Sequence, residues 1–493
     1  MLSAIEQNRK ETIPMKIRKF LSLLTAAVML AALAAVAVPV SAADAQVWNG
    51  VSGTTIAKGS GTSEDPYVIS DPGELDFIAA SSVGGEKFEG KYFRLDIDVD
   101  WGGREWTPIG TKSAPFGGVF DGNGKTVCNF NCADTVAGFF GYATGAEIKN
   151  LKIDYATITT DTRYAGAIVG LLREGRVMSC VSGENVVVTT EKMMSNTAQM
   201  GGMFGLVNSS TVEACANYGK VIALNVSGTS FVGGIAGVVG NESVLRNCIN
   251  YGEVTSPDAN VTADANAFVG GIAGGIGASS KTGTLENCVN MGSVSCVEFA
   301  GGVTGRVHVA GSTANNCVNL GTIKGGDGKS GAVVGQANKS FVAAGNIGLN
   351  GSAPELCADV AEGVTVPDGA WSAAAEAEIK ASAAFTTAES AILSLPVFSV
   401  IVPSAPATEP ATEPATEPAT EPETKPETKP ETKPETKPET KPETKPATEP
   451  ETTKAGGDVT EPAKKGGCGS SAAAAVIVSA VCGSAFAIFR KKD

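Results

Sequence analysis

The chain is poor in what a compact enzyme usually needs. Aromatic residues make up 6% of its 493 residues. So few rings argue against a standard globular core and suit an elongated fold in which small residues stack. There is one histidine, His308. Multi-histidine metal sites are therefore excluded, and a Ser-His-Asp triad would have to be built on that residue. Basic charge is also scarce: the net charge is −14 and the pI near 4.8. A nucleic-acid partner calls for basic patches, so none is expected. Heptads and long amphipathic helical patterns are missing from the middle of the chain. No Leu-Pro-x-Thr-Gly sequence precedes the C-terminal apolar segment.

Glycine is what the chain has in abundance, with 60 residues. Many fall in a spaced apolar box: Gly138-Phe-Phe-Gly141, Gly166-Ala-Ile-Val-Gly170, Gly201-Gly-Met-Phe-Gly205, Gly233-Gly-Ile-Ala-Gly237, Gly270-Gly-Ile-Ala-Gly274, Gly301-Gly-Val-Thr-Gly305 and Gly331-Ala-Val-Val-Gly335. A second motif alternates with it: Ala214-Cys-Ala-Asn-Tyr-Gly-Lys-Val221, Asn247-Cys-Ile-Asn-Tyr-Gly-Glu-Val254, Asn287-Cys-Val-Asn-Met-Gly-Ser-Val294 and Asn316-Cys-Val-Asn-Leu-Gly-Thr-Ile323, with weaker copies at Cys180 and Gly345. The cysteines Cys180, Cys215, Cys248, Cys288 and Cys317 step by 35, 33, 40 and 29 residues. The longer steps carry insertions over 184–199 and 255–267. A period near 30 residues, rich in Val, Ile and Thr between glycines, predicts a parallel β-solenoid. About eight such coils would make a rod roughly 40 Å long.

Trp106-Thr-Pro-Ile-Gly110, Phe116-Gly-Gly-Val-Phe-Asp-Gly-Asn-Gly-Lys-Thr-Val127 and the boxes that follow resemble the GLUG-motif repeat proteins of bacterial surfaces. The resemblance covers residues 59 to about 350. Several boxes replace the motif's leucine with Phe139, Met203 or Val303. It implies export, surface display and a solenoid of parallel strands, and brings no catalytic residue or cofactor with it.

Before the repeats, residues 46–114 read as a cap module. Asp71-Pro72-Gly73-Glu74 has the signature of a helix start with a capping box. The alternation from Phe93 to Trp101 predicts a half-buried strand with Asp96, Asp98 and Asp100 on an acidic face. Those carboxylates invite calcium, but strand rise spreads them about 6.6 Å per step, so a solvated face is preferred. Asp121-Gly-Asn-Gly124 suits a tight turn better than an ion site.

Stacking places the repeat cysteines in one column, where parallel side-chain vectors disfavour disulfides; they read as buried small residues. Cys128 and Cys132 are the better disulfide pair. Asn217, Asn250, Asn290 and Asn319 are expected to hydrogen-bond along the stack. Tyr218, Tyr251, Met291 and Leu320 form another column, read as packing before ligand platform. Residues 351–402 read as a C-terminal cap, with a helix over 371–386 and an edge strand from Ile392 to Val402.

The two ends speak of placement. Lys16, Arg18 and Lys19 precede the apolar run Phe20–Val38 and small-residue cleavage sites, so residues 1–45 form an export signal, with Met15 the better start. From Pro406 to Pro450 a proline recurs every fourth residue. Such a stretch cannot form a helix or central strand; residues 403–465 read as a stalk, of which 404–453 would reach about 150 Å as straight polyproline II. Ser470–Phe489 is long enough to span a bilayer, and Arg490-Lys-Lys492 puts the C-terminus inside. This resembles the C-terminal anchors of Gram-positive surface proteins. Gly467-Cys468-Gly469 leaves open either processing or lipidation at Cys468 or a plain helix head.

Together these features predict an exported, membrane-anchored surface protein whose solenoid meets a host, matrix or glycan ligand without catalysis. Two readings compete: a polysaccharide-acting β-helix enzyme and a purely structural wall component. Against the enzyme, the repeats hold few carboxylates, Glu213, Glu242, Glu253, Glu286, Glu298 and scattered others, with no dense group in one copy, whereas glycoside cleavage needs paired carboxylates. Binding specificity is expected in the insertions rather than in the repeat.

Overall fold

The computed structural model describes residues 45–190, 197–224, 228–257, 266–396 and 398. The export signal, stalk, apolar C-terminal segment, Cys468 and parts of both insertions lie outside the described residues. Among the described residues no helix is long and apolar enough to cross a membrane.

The fold is all-β, a right-through stack of parallel strands in two large sheets. One column shows the register. Tyr67, Phe93, Phe120, Ile148, Val177, Val212, Leu245, Leu285, Ala314 and Ala343 face one another rung by rung. At the usual strand spacing these rungs span about 43 Å. The first rung is made by Tyr67–Ile69 and by Gln46–Val47, which pairs in parallel with Val99–Asp100, so the residues read as an N-terminal module carry the first rungs of the stack. The helix α1 (Pro72–Val83) begins as its sequence indicates. Asp71 accepts from Gly73 N–H at 2.7 Å, and Glu74 reaches back to Asp71 N–H at 3.2 Å. Its Leu75, Ile78 and Ala79 pack into the solenoid core.

Each coil turns a corner through a left-handed residue. Asn150, Ser179, Ala214, Asn247, Asn287, Asn316 and Gly345 all have φ between 50° and 66°. Asparagine and glycine suit that conformation best, which explains the asparagine before most repeat cysteines.

The two motifs of the repeat meet inside the coil. Asn217, Asn250, Asn290 and Asn319 are fully buried. Asn217 Nδ2 donates to Asn250 Oδ1 at 2.8 Å, Asn250 to Asn290 at 2.9 Å, and Asn290 to Asn319 at 2.8 Å. Each also donates to the carbonyl of the glycine two residues on, Gly219, Gly252, Gly292 or Gly321. The interior amides of the ladder thus have both hydrogens used, so burial leaves no donor unpaid. A Cβ at Gly202, Gly234, Gly271 or Gly302 would collide with the carboxamide of Asn217, Asn250, Asn290 or Asn319 respectively. The second glycine of each box is there to clear space for the ladder of the second motif.

The C-terminal stretch departs from its reading. Trp371–Ala374 is a strand paired with Asn346–Leu349, followed by α2 (Glu376–Lys380) and α3 (Ala383–Leu393). Ser382 Oγ accepts from Phe385 N–H at 3.2 Å and starts α3. Phe385, Ala388 and Ile392 recur at helical spacing, so Ile392 and Leu393 end a helix and do not begin an edge strand. The two helices lie on the flank, where Ile379, Phe385 and Ala388 cover Ile249, Val289 and Val318. Leu356, Val364, Val366 and Trp371 pack on the core itself. Closing the last coil and covering its flank are thus the work of two different segments.

Candidate binding groove

The acidic residues singled out in the sequence serve the corners and bulges of the coil. The alternating strand is broken between Tyr92–Leu95 and Val99–Glu105, so Asp96, Asp98 and Asp100 do not form one solvated face. Asp98 and Asp100 are 6% and 2% exposed. Asp98 Oδ1 accepts from Thr126 N–H, and Asp100 Oδ1 from Gly102 N–H, both at 2.8 Å. Asn129 Nδ2 donates to Asp100 at 2.7 Å. Asp96 faces Arg94 instead, at 2.7 Å, and that hydrogen bond holds its carboxyl below the usual range. Corners need acceptors for their backbone N–H groups, and buried carboxylates supply them. Among the described residues no group of three or more His, Cys, Asp or Glu side chains is placed to hold a metal. Asp121 Oδ1 accepts from Asn123 N–H at 2.8 Å and Asn150 Nδ2 at 3.0 Å, as a turn residue would.

The column cysteines are buried free thiols. Each donates to the carbonyl two residues earlier, as Cys248 does to Arg246 at 3.2 Å. Burial pushes the Cys180, Cys248 and Cys317 thiols up, so they have little nucleophilic thiolate. Cys128 and Cys132, the better candidates for a disulfide, are free as well. The left-handed residue Asn129 turns the chain between them. Cys132 Sγ then faces Gly138 O at 3.6 Å, while Cys128 lies beside Asp100 and Asp154.

The glutamates are kept apart. Glu213 sits between Arg246 at 2.9 Å and Arg176 at 3.3 Å, and the Arg246 hydrogen bond lowers its pKa. Glu242, Glu253 and Glu298 each pair with their own lysine, Lys281, Lys220 and Lys329. Tyr218 and Tyr251 stack with centroids 4.5 Å apart. Tyr251, Met291 and Leu320 pack in the cluster that α3 covers, while Tyr218 is 39% exposed.

The feature that sequence reading missed lies on the outer face of the second sheet. Val232 enters the core; its neighbour Phe231 points the opposite way, as strand alternation requires. Phe231, Phe268 and Phe299 are in register, with centroids 5.4 and 5.5 Å apart. Each stands two residues before its Gly-Gly pair, and that common offset was the available signal. Facing this column is a second one, Leu171, Leu206, Val238, Gly275 and Arg306. The glycine box turns the chain between the columns, so their outward side chains meet and form an apolar cluster separate from the core. Gly275 is required by close approach: a Cβ there would meet the Phe231 ring at 2.8 Å. Arg306 lies 4.5 Å over Phe268, and Lys329 4.9 Å over Phe299.

His308 belongs to this groove. Its ring meets Phe231 edge-on at 5.8 Å, and it lines a depression with Arg163, Gln199, Leu206, Val238 and Asn241, among others. Burial, then Arg306 and Lys339, lowers its pKa to about 4. The imidazole is accordingly neutral at physiological pH. No carboxylate lines the depression, so the acid partner of a triad is absent from its wall.

No family model matches the chain. A 129-residue stretch is 34% identical to a protein of Evansella cellulosilytica provisionally named a Gly-rich membrane protein, covering 24% of this chain and 14% of that one. A 180-residue stretch is 30% identical to halomucin of Haloquadratum walsbyi, covering 33% of this chain and 2% of that one. The chain thus matches only a small fraction of these relatives' length. Among solved structures, a Bacteroides ovatus protein provisionally described as an immunoglobulin A1 protease aligns with TM-score 0.42 and 21% identity, over 66% of this chain and 90% of that one. That likeness carries no argument about activity.

Proposed function

We propose that this is a non-enzymatic GLUG-type surface protein whose solenoid is exported, anchored through Ser470–Phe489 and held off the membrane by the stalk over 403–465, where it serves adhesion or cell-surface contact. The observation that carries the reading is the fate of its chemically capable side chains. The repeat's asparagines and cysteines are spent on internal stacking, and Glu213, Glu242, Glu253 and Glu298 each face a lysine or arginine. What the internal stacking leaves unused is the other face of the second sheet: the Phe231–Phe268–Phe299 column, the cations over it and the depression beside it. A relative named as a membrane protein agrees with the placement. Beads coated with the full chain should adhere to host cells, mucus or matrix. Failure across several such surfaces would favour a purely structural wall role, and turnover of plant, mucin or wall glycans by the purified chain would overturn the non-enzymatic reading.

A further inference from the structure

An open cleft lies at the start of the stack, between Tyr67 of the first rung, α1 and the loop after α1. Its volume is about 340 Å³, within the range of small-molecule sites. Tyr67 and Phe77 line it half-buried, and Phe88 lines it buried. Each ring has a local cause. Gly61 has φ +77°, and a Cβ there would meet the Tyr67 ring at 2.3 Å, so the glycine makes room for the ring. Phe88 holds a left-handed backbone, φ +56°, which a bulky residue rarely adopts. Its ring packs edge-on against Phe93 with centroids 5.2 Å apart. Phe77 stands apart. Leu75, Ile78 and Ala79 of the same helix enter the core, whereas Phe77 joins none of the apolar clusters of the described residues. Ser81 follows one helical turn later and lines the same cleft. A half-exposed ring beside a cavity, packed on no core, is surface free to meet a ligand.

The lining carries one charge of each sign. Lys91 Nζ stands 5.9 Å from the centre of the Tyr67 ring. Glu86 Oε1 accepts from Phe88 N–H at 3.0 Å, which leaves its other oxygen for a ligand. Lys87 and Glu89 of the same loop pair with each other at 3.9 Å, and neither Glu86 nor Lys91 has an ion-pair partner among the described residues. Both are exposed, so solvent screens them and a charged ligand gains little from either. A net charge of either sign would also meet one like charge. The lining instead favours a flat apolar face against the rings, with hydroxyls beside it that accept from Lys91 and donate to Glu86. A neutral sugar ring has this chemistry: its C–H face packs on aromatic side chains, and each hydroxyl both donates and accepts. We infer that the cleft bounded by Tyr67, Phe77, Glu86 and Lys91 binds a neutral sugar residue. This rests on the surface-contact reading and gives it a ligand class. It also moves specificity from the insertions to the first rungs of the stack.

The test uses the full chain and the methyl glycosides of glucose, galactose, mannose, fucose, N-acetylglucosamine and N-acetylgalactosamine, followed by saturation-transfer NMR and titration. At least one should bind. Phe77→Ala should weaken that sugar about tenfold, the worth of one well-placed ring. Alanine suits a helix and Phe77 lies outside the core, so the variant keeps the fold. Phe77→Tyr, which keeps the ring, should restore most of the affinity. Glu86→Gln keeps an acceptor for Phe88 N–H but loses the charge, and should weaken binding about threefold. Unchanged melting temperatures show that the variants fold. No binding by any of these glycosides, binding untouched by both Phe77→Ala and Glu86→Gln, or tighter binding of free phenylalanine, whose ammonium and carboxylate would pair with Glu86 and Lys91, would each overturn the proposal. Beads that adhere while no sugar binds would sink this inference and leave adhesion standing; sugar binding without adhesion would do the reverse.

Discussion

The early and late coils of this solenoid fill the same cross-section in two ways. Up to Phe140 the core is a mass of rings. Trp106 stacks on Phe139 at 4.8 Å, Trp101 meets Trp106 at 4.7 Å, and Phe120 meets Phe140 at 5.3 Å. From Cys180 onward, Phe204 and Phe341 aside, rings give way to columns of Val, Ile, Ala and Cys around the asparagine ladder. Rings fill volume through dispersion and can be arranged irregularly. A ladder must repeat, because each amide bonds the identical amide one coil away. Early coils therefore need no strict motif. Late coils do, and that is why the periodicity is clearest there.

Substitutions should separate the two regimes. The largest effect is expected from Asn250→Leu. The side chains are similar in size, but the change strips Asn217 of an acceptor, Asn290 of a donor and Gly252 of both side-chain bonds. At about 1–3 kcal/mol per stranded buried group, a loss of about 4 kcal/mol is expected in urea denaturation. Gly234→Ala attacks the same ladder sterically, since the new Cβ overlaps the Asn250 carboxamide. Overpacking of this kind should cost about 3 kcal/mol.

Acid should weaken the late coils through His308. Its folded pKa of about 4 lies below the ordinary 6.5, so the unfolded chain binds the proton more readily. Its contribution is full above pH 6.5 and is lost as pH falls toward 4, by about 3 kcal/mol in all. Arg306, Lys339 and Arg163 face the same ring or line its depression; Asp359 acts on Arg306, and no carboxylate is on the lining itself. The denaturation midpoint of His308→Gln should vary less between pH 7 and 4 than that of the wild type; an identical slope would refute the assignment. The smallest effect is expected from Phe120→Leu in the ring-filled coils, about 1.5 kcal/mol, because an apolar replacement leaves no group unbonded. A Phe120→Leu loss equal to that of Asn250→Leu would erase the distinction between the two halves.

The parallel solenoid, the buried cysteine column and the Asn217–Asn319 ladder were legible because stacking converts a sequence period directly into a spatial column. The capping box at Asp71–Glu74 was legible because it is local. Where the reading failed, no period was available. Asp98 and Asp100 look like an exposed strand face until the corner between Leu95 and Val99 turns them inward onto the backbone N–H groups of Thr126 and Gly102. Cys128 and Cys132 look like a pair until Asn129 turns the chain between them. The residues from Trp371 to Leu393 lie beyond the last repeat, so only packing against Ile249, Val289 and Val318 shows where their helices sit.

The sequence by itself determined the repeat, its strand type and the identity of the residues that stack, because those follow from period and residue size. Tertiary structure alone decided that the glycine box clears space for the ladder, and that Phe231, Gln199, Asn241 and His308 surround one opening. Those residues lie up to 109 positions apart in the chain. Only the coil geometry, which folds two strands back across a glycine corner, brings their outward faces together.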